Sequence, residues 1–265
     1  MILIGEKLNS SIPSVRQALD AQAGDFVRKL AKDQEAAGAD FLDVNAAMFM
    51  GEEADKLSWL IQTVREVSAL PLVIDTPSPA VAAHAAQLCR GEKMVLNSIT
   101  LEKSRFEPML EAALEAGAGL VALCMDDAGI PEGVSRRVEL AVELTERLAA
   151  AGIPRGEIYL DPMVRPIGSG EGMGREAVDS IRAIRAALPE THIVCGLSNC
   201  SFGMPKRALL NRTFLVAAMT AGLDCAILDP LNRSLMSALA AARAVLGLDE
   251  YCVDYLDAYR EGKLD

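Results

Sequence analysis

Short apolar runs alternate with longer amphipathic segments eight times along this chain. The apolar runs are rich in Val, Ile and Leu, which is typical of parallel strands that are covered on both faces. In the segments between them, apolar residues recur with helical spacing, and a glycine or proline stands near each predicted helix end. Eight such units within 265 residues predict a single (β/α)₈ TIM barrel that spans residues 1–265.

The predicted strands and helices have approximate bounds. Strands are predicted at residues 2–5, 41–45, 72–75, 94–97, 120–125, 158–162, 193–202 and 225–229. Helices are predicted at residues 14–37, 53–68, 79–89, 101–116, 134–150, 175–188, 209–221 and 234–246, before an amphipathic tail at 251–259. A doubly wound open sheet is the alternative, but no glycine fingerprint follows the first strand.

Polar side chains stand at the predicted carboxyl ends of the strands, where a barrel carries its active site. Asp and Asn also cap helices and start turns, so each of them singly has a purely structural explanation. Their recurrence from strand to strand favours a binding site. The predicted ring consists of Glu6, Asn9, Asp43, Asn45, Asp75, Asn97, Asp161, Ser198, Asn199 and Asp229.

Four members of this ring, Asp75, Asn97, Asp161 and Asn199, stand out because each comes at the end of an apolar run. A carboxylate can accept two parallel hydrogen bonds from the amine and ring N–H of an amino-pyrimidinone. An amide offers one donor and one acceptor to a neighbouring edge of the same ring. The set is therefore complementary to a pterin.

The chain resembles the pterin-binding methyltransferases that move methyl groups between tetrahydrofolate and corrinoid proteins, including the folate domain of cobalamin-dependent methionine synthase. Each motif is weak alone, but together they follow the order of the family along the whole chain. The motifs lie at residues 5–9, 42–45, 74–76, 96–98, 160–162, 196–199 and 210–214.

This resemblance implies that Asp75, Asn97 and Asp161 hold the pterin, while Asn199 reaches the ring nitrogen that carries the methyl group. An amide cannot be the source of a proton, so Asp161 or Asp75 is expected to belong to a catalytic hydrogen-bond network with Asn199. The resemblance also implies a homodimer. Further residues expected to bind the folate cofactor or substrate, 5-methyltetrahydrofolate or tetrahydrofolate, are Asn45, Gly196, Ser198 and Arg207.

Composition excludes several other functions. The net charge of −11, without a basic stretch, argues against a nucleic-acid partner. The chain has only two histidines and no Cys-x-x-Cys pair, so neither a metal site nor a Ser-His-Asp triad is expected. No long apolar run or basic leader is present, and we expect a cytoplasmic protein without a membrane partner. The Asp-x-His-x-x-Gly signature of cobalt ligation is also missing, so the corrinoid (cobalamin) must arrive on a separate protein.

Two alternative functions remain open at this level. Dihydropteroate synthase shares the pterin cradle, but it needs cationic groups to stabilise a pyrophosphate leaving group. The tip of the seventh strand, Ser-Asn-Cys-Ser-Phe, contains no cationic residue. A non-catalytic folate-binding subunit would keep the cradle without methyl transfer.

Overall fold

Eight parallel strands form the central sheet of the computed structural model, which describes residues 1–265. Neighbouring strands pair in the order β7-β6-β5-β4-β3-β2-β1-β8. The remaining gap is bridged where Gly196 pairs with Ile227, whose N–H donates to the Cys195 carbonyl at 3.0 Å. The predicted (β/α)₈ TIM barrel is therefore confirmed. The strands are β1 Ile2–Asn9, β2 Phe41–Asn45, β3 Leu72–Asp75, β4 Met94–Ile99, β5 Gly119–Leu123, β6 Ile158–Asp161, β7 His192–Ile193 and β8 Cys225–Leu228.

Helices cover the outside of the sheet, and a cluster of 60 buried residues fills the space between the two layers. None of the helices combines the length and the apolar character that a membrane crossing requires. The helices are α1 Pro13–Asp20, α2 Gly24–Ala36, α3 Glu53–Arg65, α4 Pro79–Leu88, α5 Phe106–Ala116, α6 Val134–Ala150, α7 Met173–Ala187, α8 Arg207–Ala221, α9 Arg233–Val245 and α10 Val253–Arg260.

The first helix and the seventh strand differ most from the predicted elements; in addition, β1 continues to Asn9 and α5 begins only at Phe106. The helix predicted at residues 14–37 is broken into α1 and α2, because Gln22 adopts a left-handed φ of 50° and Gly24 begins the second helix. The seventh strand was predicted to run to residue 202, but β7 ends at Ile193 and the chain turns into a 3₁₀ helix at Leu197–Asn199. Apolar runs predict burial more directly than they predict strand pairing, which explains the overlong seventh strand.

The inside of the barrel is filled by one apolar layer to which every strand contributes a side chain. Because side chains alternate along a strand, the residue two positions further on also faces inward. This second position is where the barrel interior becomes polar. The apolar layer consists of Ile4, Phe41, Val73, Val95, Val121, Tyr159, Val194 and Cys225.

Gly119, at the start of β5, is required by a close approach between two strands. A Cβ at this position would lie 2.9 Å from the backbone oxygen of Glu157, which precedes β6. A backbone atom cannot move aside as the end of a flexible side chain can, so the strands would have to separate.

We therefore predict that Gly119→Ala lowers the free energy of unfolding by about 1–3 kcal/mol, the usual cost of overpacking. Urea denaturation measures the change. Gly156→Ala is the matched control, since a Cβ there meets no atom within 4 Å. Equal stability of the two variants would contradict the assigned strand contact.

Candidate active site

A cavity of about 710 Å³ opens at the carboxyl ends of the strands. Its floor is the second inward-facing layer of the barrel, because each strand contributes the residue that lies two positions beyond its apolar one. Five of these eight positions carry carboxyl or amide groups. The eight floor residues are Glu6, Asp43, Asp75, Asn97, Leu123, Asp161, Gly196 and Ile227.

Asp75 lies between two asparagines on neighbouring strands. The strand register pairs it with Asn45 on β2 and with Asn97 on β4. The Asn45 amide Nδ2 donates to Asp75 Oδ2 at 2.9 Å, and this bond fixes the carboxylate. Burial raises the pKa of Asp75 to about 6, although the Asn45 hydrogen bond opposes the shift. Asp75 is thus a half-buried hydrogen-bond acceptor with a raised pKa.

Asn45 was expected to bind the ligand itself, but it is not among the residues that line the cavity. Its Oδ1 accepts from Ser10 Oγ at 2.8 Å and from the N–H of Ala47 at 3.1 Å. Its Nδ2 donates to Asp75, so the oxygen and the nitrogen of this amide both form hydrogen bonds within the protein. Asn45 therefore orients Asp75 from behind.

Asp43 and Glu6 extend the acidic floor beside Asp75. The Asp43 side chain is buried, and its Oδ1 has no hydrogen-bond partner. Burial raises the pKa of Asp43 well above its usual value, and the nearby charges of Asp75 and Glu6 raise it further. The pKa of Glu6 is also raised, chiefly by burial. Burial and mutual repulsion therefore both favour the protonated forms of the carboxyls in this part of the floor.

Asp161 occupies the opposite side of the floor at the end of β6. Its Oδ1 accepts from the N–H of Met163 at 2.7 Å, and the residue lines the cavity. Burial raises the pKa of Asp161 to about 6, and the Met163 hydrogen bond opposes this. Asp75, Asn97 and Asp161 all line the same cavity, as the sequence predicted.

Asn199 lies at the end of the 3₁₀ helix that follows β7, and its side chain lines the cavity. The absence of a side chain at Gly196 gives it room, because a Cβ there would lie 3.1 Å from Asn199 Nδ2. The neighbouring Ser198 Oγ donates to Glu6 Oε1 at 3.2 Å. The turn therefore places the Asn199 amide over the polar floor and fastens it to β1.

Arg207, the first residue of α8, also lines the cavity. Its Nη2 donates to the Ser198 carbonyl at 2.8 Å, and its Nε donates to Ser201 Oγ at 3.1 Å. These bonds hold the residues that precede and follow Asn199 in the turn. The guanidinium thus supports the turn and retains further N–H donors for a ligand.

A pair of charged residues on the β1–β8 side of the mouth was missed as a site feature by the sequence interpretation. Lys7 Nζ lies 3.1 Å from Asp229 Oδ2, and both side chains line the cavity. Asp229 was noted as a strand-end residue, but nothing in the sequence signalled that Lys7 would face the same mouth. An irregularity in the β1 register between Gly5 and Leu8 places it there.

The cysteine beside Asn199 has no features of a nucleophile. Cys200 is buried, and burial raises the pKa of its thiol to about 11. Its Sγ lies 3.6 Å from Asn211 Oδ1. The thiol therefore stays protonated at neutral pH and contributes packing.

A family model described as pterin binding enzyme matches residues 6–229 of the chain. The chain belongs to the family of pterin-binding enzymes. It is 36% identical, over 100% of its length and 98% of the relative's, to a methylcorrinoid:tetrahydrofolate methyltransferase of Eubacterium limosum. It is 32% identical over 252 residues to a methionine synthase of Mycobacterium leprae, of which it spans 21%. The family resemblance predicted from the motifs is thus confirmed.

Solved structures of dihydropteroate synthases share the fold. The enzyme from Xanthomonas albilineans in complex with 7,8-dihydropteroate superposes with a TM-score of 0.71 and 18% identity, over 92% of this chain and 93% of that one. The Vibrio fischeri enzyme gives a TM-score of 0.71 at 18% identity, over 93% of each chain. At this level of identity the likeness concerns the barrel alone.

The raised pKa of Asp161 predicts a pH dependence of stability. Between pH of about 4 and about 6 the folded protein holds a proton on Asp161 that the unfolded chain has lost. The free energy of unfolding of the wild type should therefore fall, relative to that of Asp161→Asn, as the pH rises through this window. Urea denaturation at a series of pH values measures the difference.

Asp126→Asn is the control of opposite sign for this experiment. The hydrogen bond from Arg136 lowers the pKa of Asp126, so its contribution to stability is lost as the pH falls. Parallel pH profiles for wild type and Asp161→Asn would contradict the assignment of a buried, proton-holding Asp161.

Proposed function

We propose that this protein is an enzyme that transfers a methyl group between tetrahydrofolate and the cobalt of a corrinoid carried by a separate protein. The single observation that carries the proposal is the arrangement of Asp75, Asn97 and Asp161 on one floor with Asn199 above it. Full-length similarity to a methylcorrinoid:tetrahydrofolate methyltransferase supports the same activity. The direction of transfer depends on the pathway. The name of that relative makes tetrahydrofolate its methyl acceptor, and transfer from 5-methyltetrahydrofolate to cob(I)alamin tests the same reaction in reverse.

The floor fits the amino-pyrimidinone end of a pterin. Asp75 and Asp161 offer carboxylate oxygens, and Asn97 offers both a donor and an acceptor. The cavity of about 710 Å³ is of the size that small-molecule sites usually have. We infer that these three residues bind the ring, and that Asn45 acts through its hydrogen bond to Asp75.

Asn199 is proposed to interact with the pterin nitrogen that gains or loses the methyl group. A methyl group leaves a tertiary amine only if that nitrogen gains positive character, and it joins the nitrogen by the reverse of that step. A polar group that interacts more strongly with the charged nitrogen than with the neutral one lowers the barrier in both directions. Asn199 can do so through its carbonyl oxygen, while the proton itself must come from water or from a network that includes Asp161 or Asp75.

Gly196, Ser198 and Arg207 are proposed to support this step. Gly196 leaves space for the Asn199 amide, and Ser198 ties the turn to Glu6. The free N–H groups of Arg207 are available to the part of the folate that extends beyond the ring. A cytoplasmic location remains a prediction.

Asn199→Ala should lower the rate of methyl transfer by about 10²-fold or more with a much smaller loss of folate affinity, as expected for a contact that strengthens in the transition state. Asp161→Ala and Asn97→Ala should chiefly weaken binding. Calorimetric titration with 5-methyltetrahydrofolate gives the affinity, and the spectrum of added cob(I)alamin reports methyl transfer.

Three results, one of them from a separate condensation assay, would contradict parts of this proposal. Wild-type protein that binds 5-methyltetrahydrofolate but transfers no methyl group, even with an active corrinoid protein, would favour a folate-binding subunit. Condensation of a pterin diphosphate with para-aminobenzoate would favour a dihydropteroate synthase. Equal losses of rate and affinity in Asn199→Ala would remove its assigned role.

We also propose a homodimer, supported by the outer face of α8. From Arg207 to Ala221 this helix carries no acidic residue, although the whole chain has 37. Leu209 and Val216 are exposed on it. Beside them, an apolar groove of about 390 Å³ separates α7 from α8, lined in part by Ile167, Val178 and Phe214. A second copy of the chain would cover this face.

Val216→Arg should therefore shift the protein from dimer to monomer in sedimentation velocity, because a buried unpaired charge is costly at an interface. Val142→Arg on α6 is the matched control, since Val142 is a comparably exposed valine on another helix. A dimer that tolerates Val216→Arg would place the interface on a different face of the molecule.

A further inference from the structure

The segment between β6 and α7, residues 162–172, forms one wall of the cavity. Met163 and Val164 line the cavity directly. Met163 has a φ of 62°, a conformation that a residue with a side chain adopts only when its surroundings enforce it. The hydrogen bond from its N–H to Asp161 Oδ1 is one such restraint. The conformation of this segment and the orientation of Asp161 are therefore linked.

Glu176, in the first turn of α7, holds this segment from outside the cavity. Its Oε1 accepts from Arg165 Nη2 at 2.9 Å and from Arg137 Nη1 at 2.5 Å. Arg137 on α6 is only 2% exposed, so its charge requires a fixed partner. One carboxylate thus connects a buried arginine of the helical layer to Arg165 of the cavity wall.

The same segment is also bonded to the turn that carries Asn199. The N–H of Ile167 donates to the Cys200 carbonyl at 2.8 Å, one residue beyond Asn199. Arg165 and Ile167 are separated by Pro166 alone, and the proline ring restricts the backbone between them. A displacement of Arg165 would therefore change the positions of both Asp161 and Asn199.

We propose that Glu176 and Arg165 are positioning residues that fix Asp161 and Asn199 relative to each other for methyl transfer. The proposal rests on the proposed function for its kinetic consequence. Arg165 is not among the residues that line the cavity, so it acts through the segment and not on the substrate. The anchor lies in the helical layer, where Glu176 cannot move away without leaving the charge of the buried Arg137 unpaired.

The decisive variant is Arg165→Met, which removes the bond to the segment and leaves the buried Arg137–Glu176 pair intact. Arg182→Met is the matched control, because Arg182 lies on α7 and pairs with Asp179 at 2.6 Å on the exposed surface. Both variants should keep the melting temperature of the wild type within a few degrees, as expected for partly exposed ion pairs.

Three readouts separate positioning from general destabilisation. In the free protein, hydrogen exchange at the amides of Met163 and Ile167 should become about tenfold faster in Arg165→Met, since local opening is then less costly. The dissociation constant for 5-methyltetrahydrofolate should rise severalfold. The kcat for methyl transfer to cob(I)alamin should fall by about 10-fold to 100-fold, the usual effect of a small misplacement of reacting groups. Arg182→Met should leave all three values unchanged.

A double variant tests whether the two residues act as one unit. If Arg165 acts through Glu176, Arg165→Met combined with Glu176→Gln should lose no more kcat than the worse single variant. Fully additive losses would overturn the proposal. So would an Arg165→Met protein with wild-type exchange, affinity and kcat.

The exchange measurement also distinguishes the two levels of inference. Faster exchange at Met163 and Ile167 in Arg165→Met, together with a wild type that binds no 5-methyltetrahydrofolate, would refute the proposed function and leave the mechanical link intact. Unchanged exchange with a wild type that transfers methyl groups would refute the positioning role alone.

Discussion

Alternation of side chains along eight strands is the constraint on which the rest of the structure depends. Every strand turns one apolar residue into the barrel and, two positions later, another residue at the level of the cavity floor. The lower layer is closed and dry, and most of the upper layer is polar. The active site is therefore a floor whose positions are set by strand register, as the pairing of Asp75 with Asn97 illustrates. Shifting one strand by a single residue would turn its polar group outward.

An apolar layer directly below a polar one has an electrostatic consequence. Carboxyls placed there lose water without gaining a full set of partners, so burial raises the pKa of Asp75 and of Asp161 to about 6. Beside them, burial and the charges of Asp75 and Glu6 raise the pKa of Asp43 well above its usual value. Burial thus determines both how many hydrogen bonds these carboxyl groups can still accept and how readily they bind a proton. A site of this kind can bind a polar ring and exchange protons without any histidine.

The sequence predicted the barrel and most of the floor because both follow from periodicity. An apolar run that ends in Asp or Asn has the same meaning in every strand, so residue type and spacing alone were enough to find Asp75, Asn97 and Asp161. They were not enough to find the turn after β7, since residues 194–197 are as apolar as a strand but form only isolated backbone hydrogen bonds, from Val194 to Leu160 and from Ile227 to Cys195, and no continuous ladder. Lys7 was missed because the irregularity in β1 that directs it to the mouth leaves no mark in the sequence. The break after α1 depends on the left-handed Gln22, which residue type does not signal.

The departure of Asn199 from strand geometry suits the role proposed for it. A residue on a paired strand is held by the two adjacent strands at a fixed level in the barrel. This suits groups whose only task is to bind a ring. A residue on a short turn can stand above the floor and approach the ring from the side, but it must be stabilised by contacts from other parts of the chain. Here Glu6, Arg207 and Ile167 supply them from β1, α8 and the segment after β6. In the proposed mechanism, the group that must respond to a charge change is thus on the adjustable element, while the groups proposed only to bind are on the rigid one. Such a division explains why the Asn199 turn forms hydrogen bonds with three other parts of the chain, whereas strand pairing places Asn97.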